Sequence, residues 1–436
     1  MNIDNLSMSH IVQNNPIVYA EDAVRKKYLS CLTKYINVSG IGKRKYTRAQ
    51  LTAYKTIVNG YEEKEKKEYD IEYFKYYILL DLLNIAGFDK NKLSQNKLKV
   101  IKALYYNDFK TVDKTKTEKI FRLLQTQKID LNKIFQQNIF VDEKKYLDYI
   151  QQNIRFKEEK PFKLLVTATM SAGKSTFINS ITGKNICRSQ NMACTSKIHM
   201  IINKAYEDGY SYEYDHDLVM TAGSEELLND NELNKTDMIY VGTSFDGLLR
   251  NHRMTINDSP GVNYSENSEH RDITRKLIKS KRYDLLVYIM NATQLGTYDD
   301  AEHLDYVKKQ IGNKPVIFII NKIDEFNPEE ENIKKTLDGQ IEYIKSHGFK
   351  NPVVCPMSSR AAYLAKKSLN QELSRTETRE LNNYIDKFEQ MKLTDYYKKL
   401  FPDIQIKDEE DERRQLLKTC GEAYVENIIL SKKNNE

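Results

Sequence analysis

Lys163-Leu-Leu-Val-Thr-Ala168, then Thr169-Met170-Ser171-Ala172-Gly173-Lys174-Ser175-Thr176, then Phe177-Ile-Asn-Ser-Ile181, place an apolar run, a short loop and an apolar helical segment in direct succession. The run has the length of a buried strand, so the segment reads as strand, loop, helix. A phosphate-binding loop needs backbone N–H groups pointing inward at a helix N-terminus. It also needs a lysine to neutralise the outer phosphates and a hydroxyl to ligate Mg2+. Gly173, Lys174 and Ser175 supply those parts, and Ala172 to Thr176 are the expected phosphate contacts. Ala168 stands where the G-x-x-x-x-G-K-[ST] pattern has its first glycine, so this loop alone leaves open an ordinary Gly-Lys turn.

Three further elements follow in order. Asp258-Ser-Pro-Gly261 ends the apolar run Arg253 to Asp258. There a carboxylate can hold Mg2+ through water, and the Gly261 N–H can meet a terminal phosphate. Asn321-Lys322-Ile323-Asp324 ends the run Val316 to Ile320. A carboxylate at Asp324 accepts two hydrogen bonds from the ring N–H and exocyclic amine of guanine, a donor pair that adenine lacks; sites built to bond a substrate group reject analogues without it. Met357-Ser358-Ser359-Arg360 follows the last strand-like run and can bring an amide or hydroxyl from Ser358 or Ser359 to the base. The expected ligands are GTP/GDP and Mg2+.

Outward from this core, Leu285 to Met290 and Val353 to Pro356 add two more short apolar runs, and helix-length spacers separate all five. That grammar predicts parallel βαβ organisation from Pro161 onward. Tyr210 to Asp215 alternates with period two and is an expected edge strand. Residues 1–160 carry helical spacing instead, at Phe74, Ile78, Leu82 and Ile85 before Gly87, at Leu98, Ile101, Leu104 and Tyr105, at Ile120, Leu123 and Leu124, and at Tyr146, Ile150 and Ile154. A helical bundle and a boundary near residue 160 follow.

Composition agrees with a folded chain: of 436 residues, 40% are apolar and 30% charged, and about 150 residues per domain gives two or three domains. The longest apolar runs fall far short of the roughly 20 residues of a membrane-spanning helix. The N-terminal residues have no secretory pattern and the five cysteines have no Cys-x-x-Cys pair, so reduced thiols and a cytoplasmic location are expected. Residues 1–160 hold 30 basic against 20 acidic residues, and the remainder 38 against 42. A basic front part suits an anionic partner or a solvated helical surface. Lys43 to Arg48 can contact phosphates or form a solvated basic loop, and the acidic run Asp408 to Arg413 reads as a solvated face. The seven histidines show no H-E-x-x-H spacing, and no Gly-x-Ser-x-Gly elbow is present.

The chain resembles the dynamin superfamily of large GTPases, specifically bacterial dynamin-like proteins. The resemblance rests on Thr169 to Ser175, on the proline of Asp258-Ser-Pro-Gly261 and on Asn321 to Asp324; it covers residues 162–362 and says little about 1–160. It implies that Ser171 positions a charge-compensating cation or the attacking water, and that Thr195 completes the Mg2+ shell begun by Ser175 and Asp258. Met170 stands where eukaryotic members often carry glutamine, and Val262 where Ras-like GTPases often do. Stimulation is therefore expected from dimerisation across the nucleotide face. The segment Asn291 to Asp300 resembles the loop that reaches the partner's site, with Asp299 or Asp300 as the trans contact; alternatively, both acids cap a helix beginning near Ala301.

The implied architecture is a Ras-like/dynamin-like P-loop GTPase domain with a mostly parallel sheet (161–436), plus an all-helical N-terminal domain (1–160). Leu416 to Leu430 is the expected closing helix, which leaves about 363–415 as a helical insertion. The expected function is Mg2+-dependent hydrolysis of GTP to GDP and phosphate, stimulated by self-assembly. It would serve peripheral membrane remodelling or a soluble switch whose residues 1–160 engage a membrane or protein partner. The alternative is a slow GTP-sensing protein whose basic front part contacts a protein or, less favoured, nucleic acid.

Overall fold

The computed structural model describes residues 7–43, 45–60, 66–87, 93–126, 139–187, 198–215, 218–222, 238–260, 268–294, 296–327 and 333–434. The chain divides into two compact units. The first takes in residues up to Lys160 together with Lys204–Thr221, and the second Pro161–Asn203 with Ala222–Glu436.

In the first unit the helices are α1 (Asp22–Ser39), α2 (Lys45–Asn59), α3 (Lys75–Gly87), α4 (Gln95–Asp108), α5 (Lys114–Thr126) and α6 (Lys144–Glu158). Helix α3 is buried nearly all round, through Tyr76 to Leu80, Leu82, Leu83 and Ile85, as a helix apolar on every face must be. It is the centre about which α1, α5 and α6 pack. Of the segment from Lys43 to Arg48, one reading of which was a solvated loop, Lys43 ends a 3-10 turn (Ile41–Lys43) and Lys45 to Arg48 open α2, with Thr47 buried and Arg48 exposed.

The second unit is built on β1 (Phe162–Ala168) and β2 (Ile198–Asn203); β3 (Ser211–Asp215) and most of β4 (Leu218–Ala222) belong to the first unit. It continues with β5 (Met238–Thr243), β6 (Met254–Asp258), β7 (Leu285–Asn291), β8 (Val316–Asn321) and β9 (Val353–Pro356). Its strands run in the order β5-β2-β6-β1-β7-β8-β9. Every pairing from β6 through β9 is parallel, β2 runs antiparallel to β6, and β5 is parallel to β2. All seven residues of β7 are buried, the uninterrupted apolar pattern that a sheet covered on both faces requires. The register sets Asp258 beside Val166 and Asn291 beside Asn321. The loops leaving β1, β6 and β8 therefore emerge along one edge of the sheet, where ligands of open α/β folds bind. Strand β3 has β4 beside it, so it is not the outermost strand expected for Tyr210 to Asp215.

The connecting helices are α7 (Lys174–Thr182), α8 (Ser268–Ser280), α9 (Tyr298–Ile311), α10 (Ile333–Ser346) and α11 (Ser359–Asn370). Beyond them come α12 (Arg375–Met391), α13 (Leu393–Leu400), α14 (Glu412–Thr419) and α15 (Glu422–Asn434). The single closing helix expected over Leu416 to Leu430 is thus two helices. The break falls at Gly421, whose φ is +94° and where a Cβ would lie 2.4 Å from the Pro356 carbonyl oxygen. Only glycine combines that backbone with that approach.

Each unit encloses a charged knot. In the second, the buried Lys366 ammonium donates to Glu422 Oε1 (2.8 Å), Glu426 Oε1 (2.7 Å) and the Ser180 carbonyl (2.8 Å). Burial opposes its charge, but the two glutamates outweigh that cost and raise its pKa. In the first unit the fully buried Asp81 carboxylate accepts from Asn15 Nδ2 (2.9 Å) and from the Tyr28, Tyr54 and Tyr146 hydroxyls. Burial pushes the Asp81 carboxyl up to about 7 against those hydrogen bonds. The folded state then holds a proton that the unfolded chain releases near pH 4, so Asp81 contributes less stability as pH rises from about 4 to about 7. Asp81→Asn is expected to flatten that part of the melting-temperature profile of the full chain; a slope equal to that of the unsubstituted protein would refute this role.

Candidate nucleotide site

Strand β1 ends at Ala168, and after a tight turn α7 begins at Lys174. The turn is made by two left-handed residues, Ser171 (φ +62°) and Gly173 (φ +88°). A Cβ on Gly173 would lie 2.2 Å from Asn321 Nδ2, so the second position admits no side chain. The open N–H groups at the start of α7 and the positive end of its dipole face the side from which a phosphate would approach.

Asn321, 2% exposed at the end of β8, joins this loop to the one after β9. Its Nδ2 donates to the Ala172 carbonyl (2.9 Å), and its Oδ1 accepts from the Ser359 N–H (3.0 Å). The turn that follows carries Lys322 in a left-handed conformation (φ +64°), paired with Glu325 at 3.1 Å. Burial raises the carboxyl of Asp324, and a hydrogen bond from Ser358 works against that shift. The Ser358 hydroxyl also caps α11, accepting from the Ala361 N–H at 3.1 Å. Asp324, Ser358 and Ser359 therefore lie together, on the side of Asn321 away from the phosphate loop.

Lys174 and Asp258 form an ion pair, 7% and 0% exposed in their side chains. After β6, the Ser259 N–H and Oγ both donate to the Val166 carbonyl (3.2 and 3.0 Å), which pins the following turn against β1. Two residues that the motifs did not point to also reach Asp258. The Cys187 thiol donates to its Oδ2 at 3.7 Å, and His199 Nδ1 is 3.9 Å away. Burial, then the Asp258 charge, push the Cys187 thiol far up, so it stays protonated. His199 faces Asp258 across the antiparallel β2–β6 pair, and a motif search has no signal for such a register.

Ser175 and Asp258 offer hard oxygen donors, the type Mg2+ prefers. Among the described residues no group of three His, Cys, Asp or Glu side chains makes a self-contained metal cage. That fits an ion held by one or two protein oxygens together with phosphate and water. Thr195, Gly261 and Val262 lie outside the described residues.

Asp300 does not fit a trans contact. It is 4% exposed and accepts from the Tyr288 hydroxyl at 3.0 Å, and burial raises its pKa. The N-cap of α9 is Thr297, whose hydroxyl accepts from the Asp300 N–H, so neither acid is the cap and the helix starts at Tyr298 rather than near Ala301. Asp299 is half-buried in the first turn.

Residues 164–323 match the model described as the dynamin family. No curated protein matches the chain. Solved structures with a similar fold include Era in complex with MgGDPNP and a segment of 16S ribosomal RNA (18% identity, 46% of this chain and 52% of that one, TM-score 0.29). A second is described as an oligomerised bacterial dynamin pair for long range sensing and tethering of membranes (16% identity, 94% and 62%, TM-score 0.38). A third is Toc33 from Arabidopsis thaliana with GDP and Mg2+ (14% identity, 49% and 78%, TM-score 0.31). The chain spans 52–62% of the length of the first structures it matches. TM-scores at this level say nothing of function. The family match falls on the same strands and loops that bring Lys174, Asp258 and Asn321 together, so residues 164–323 are a dynamin-family domain.

Proposed function

We propose that the chain binds guanine nucleotide with Mg2+, hydrolyses GTP to GDP and phosphate, and turns over faster when it self-assembles. The observation that carries this reading is the Asn321 bridge: one buried carboxamide fixes the spacing between a phosphate-type loop and a turn bearing a guanine-type carboxylate. Lys174 and the N–H groups opening α7 would hold the phosphates and stabilise charge as it develops on them. Ser175 and Asp258 would hold the ion, with Thr195 completing its shell. When bound, Mg2+ supplies neutralisation of the phosphate oxygens. Asp324, backed by Lys322 and Ser358, would accept from the guanine edge, the Ser359 backbone would line the base, and Gly261 would meet the terminal phosphate.

Ser171 is the residue proposed to orient the water. Its neighbour Met170 has no group that can do so, and Val262 offers none after Gly261. A second chain meeting the nucleotide face is the proposed remedy, with Asp299 the remaining acidic candidate beside the exposed Tyr298. The first unit is the proposed contact to a membrane or protein partner. Among the described residues no helix is long and apolar enough to cross a membrane, and peripheral attachment is the proposed mode.

Turnover per chain, measured against protein concentration with and without anionic liposomes, should climb with one or both; a flat, slow rate would remove self-assembly from the proposal. Lys174→Ala should lower GTP turnover by about 10²-fold. Asp324→Asn should cut the preference for GTP over ATP by about two orders of magnitude. Asn321→Ala leaves the Ala172 carbonyl and the Ser359 N–H without their partner, at about 1–3 kcal/mol each. GDP affinity in that variant should fall at least about tenfold, and affinity equal to that of the unsubstituted chain would break the link between the two loops.

A further inference from the structure

Helix α12 begins firmly. Ser374 and Glu377 form a reciprocal capping box, the Ser374 Oγ accepting from the Glu377 N–H (3.2 Å) and Glu377 Oε2 from the Ser374 N–H (3.0 Å). Leu381, Phe388 and Met391 anchor the helix in the core of the second unit. With that face buried, the neighbouring flank is fixed in rotation. Glu380, Tyr384 and Lys387, spaced four and three residues apart, fall on that flank and all point the same way.

Two of the three contact the turn assigned to the base, and the third contacts the first turn of α11. Lys387 Nζ donates to the Asp324 backbone carbonyl at 2.7 Å. The Tyr384 hydroxyl lies 3.5 Å from Asp324 Oδ2 and 3.0 Å from Glu380 Oε1. The Glu380 carboxylate accepts a two-pronged bond from Arg360, Nε to Oε1 at 2.8 Å and Nη2 to Oε2 at 2.7 Å. Arg360 directly follows Ser359, whose N–H is held by Asn321. One helix flank thus braces the base-side turn and the first turn of α11 at once.

The brace meets a physical need. Residues Ile323–Glu325 form a single 3-10 turn, in which the Ile323 carbonyl accepts from the Phe326 N–H and the Asp324 carbonyl accepts from a side chain. The cationic Lys387 donor fixes that carbonyl with a charge-assisted bond. Accepting two hydrogen bonds from guanine also demands that the carboxylate plane be aimed, and an unbraced side chain on so short a turn would rotate. Arg360 holds Glu380, the single Tyr384 hydroxyl proton goes to Glu380 Oε1 or to Asp324 Oδ2, and with either partner the ring beside Asp324 limits its rotation from one side.

We infer that Tyr384 and Lys387 are positioning residues that aim the Asp324 carboxylate, so that α12 forms part of the guanine-specificity apparatus. The inference rests on the guanine reading of Asp324 given above. A nucleotide offering both the ring N–H and the 2-amino group gains from an aimed carboxylate. Inosine diphosphate, which lacks the 2-amino group, gains less.

The test is calorimetric titration of the full chain, in Mg2+, with GDP and with inosine diphosphate, for the unsubstituted protein and for Tyr384→Phe, Lys387→Met and Lys387→Arg, alongside melting temperatures. The unsubstituted chain should prefer GDP. Tyr384→Phe and Lys387→Met should each lower the GDP-to-inosine-diphosphate affinity ratio by about fivefold, the scale of one hydrogen bond, and Lys387→Arg should restore most of it. An unsubstituted chain without preference for GDP would remove the guanine reading itself. A chain that prefers GDP while the variants keep its ratio, including variants that lose both affinities equally along with melting temperature, would overturn the positioning role alone.

Discussion

A single side-chain amide sets the geometry on which the candidate nucleotide site depends. Asn321 uses its donor on the Ala172 carbonyl and its acceptor on the Ser359 N–H, so the amide has only one satisfactory orientation. Because it is buried, water cannot stand in for either partner, and each loop is held at a distance fixed by the length of one carboxamide. Gly173 is the counterpart of this constraint: the loop passes so close to Asn321 that the amide occupies the space a side chain would need. The turn before α7, the end of β8 and the N-terminus of α11 are thus tied together through one side chain.

The rigidity continues outward through charges taken out of water. Lys174 and Asp258 neutralise each other at the front of the site. Behind it, Lys366 gathers two glutamates and the carbonyl of Ser180 near the end of α7. Such groups contribute little net stability, because desolvation consumes most of the Coulombic gain, but they penalise any packing that separates them. The consequence is specificity of arrangement: α7, α11 and α15 have one mutual placement that leaves no charge unpaired.

How much of this was legible in the sequence follows from whether a feature is local. Strands β1, β6, β7, β8 and β9 were readable because a strand buried on both faces must be an unbroken apolar run, and Leu285 to Met290 is such a run. Helices α3 to α6 were readable from their periodicity. Asp258 and Asn321 were readable because each ends an apolar strand, and Gly173, Lys174 and Asp324 because each follows such a strand within six residues. Cys187 and His199 were not, since they meet Asp258 only through a connection and an antiparallel register that no local pattern encodes. The break at Gly421 depended on the distant Pro356 carbonyl, and the burial of Asp300 on the Tyr288 hydroxyl. Asp81 gives no local signal of its role; its tyrosine partners lie 53, 27 and 65 residues away. Residues 204–221 group with the helical unit although they follow β2 of the other, a crossing that sequence order conceals.

The Lys366 knot bears on how the protein is made. Ser180 donates to Glu422 across 242 residues of sequence, at 3.2 Å. A ribosome releases α7 long before α15, so the nascent phosphate loop leads into a helix whose last turn still lacks the partners that fix it. Contacts of such sequence separation carry a large loop-closure cost and slow the search for the native state. The emerging chain therefore has to pass through an interval in which the nucleotide motif is fully translated but not yet assembled, with its sheet only partly covered.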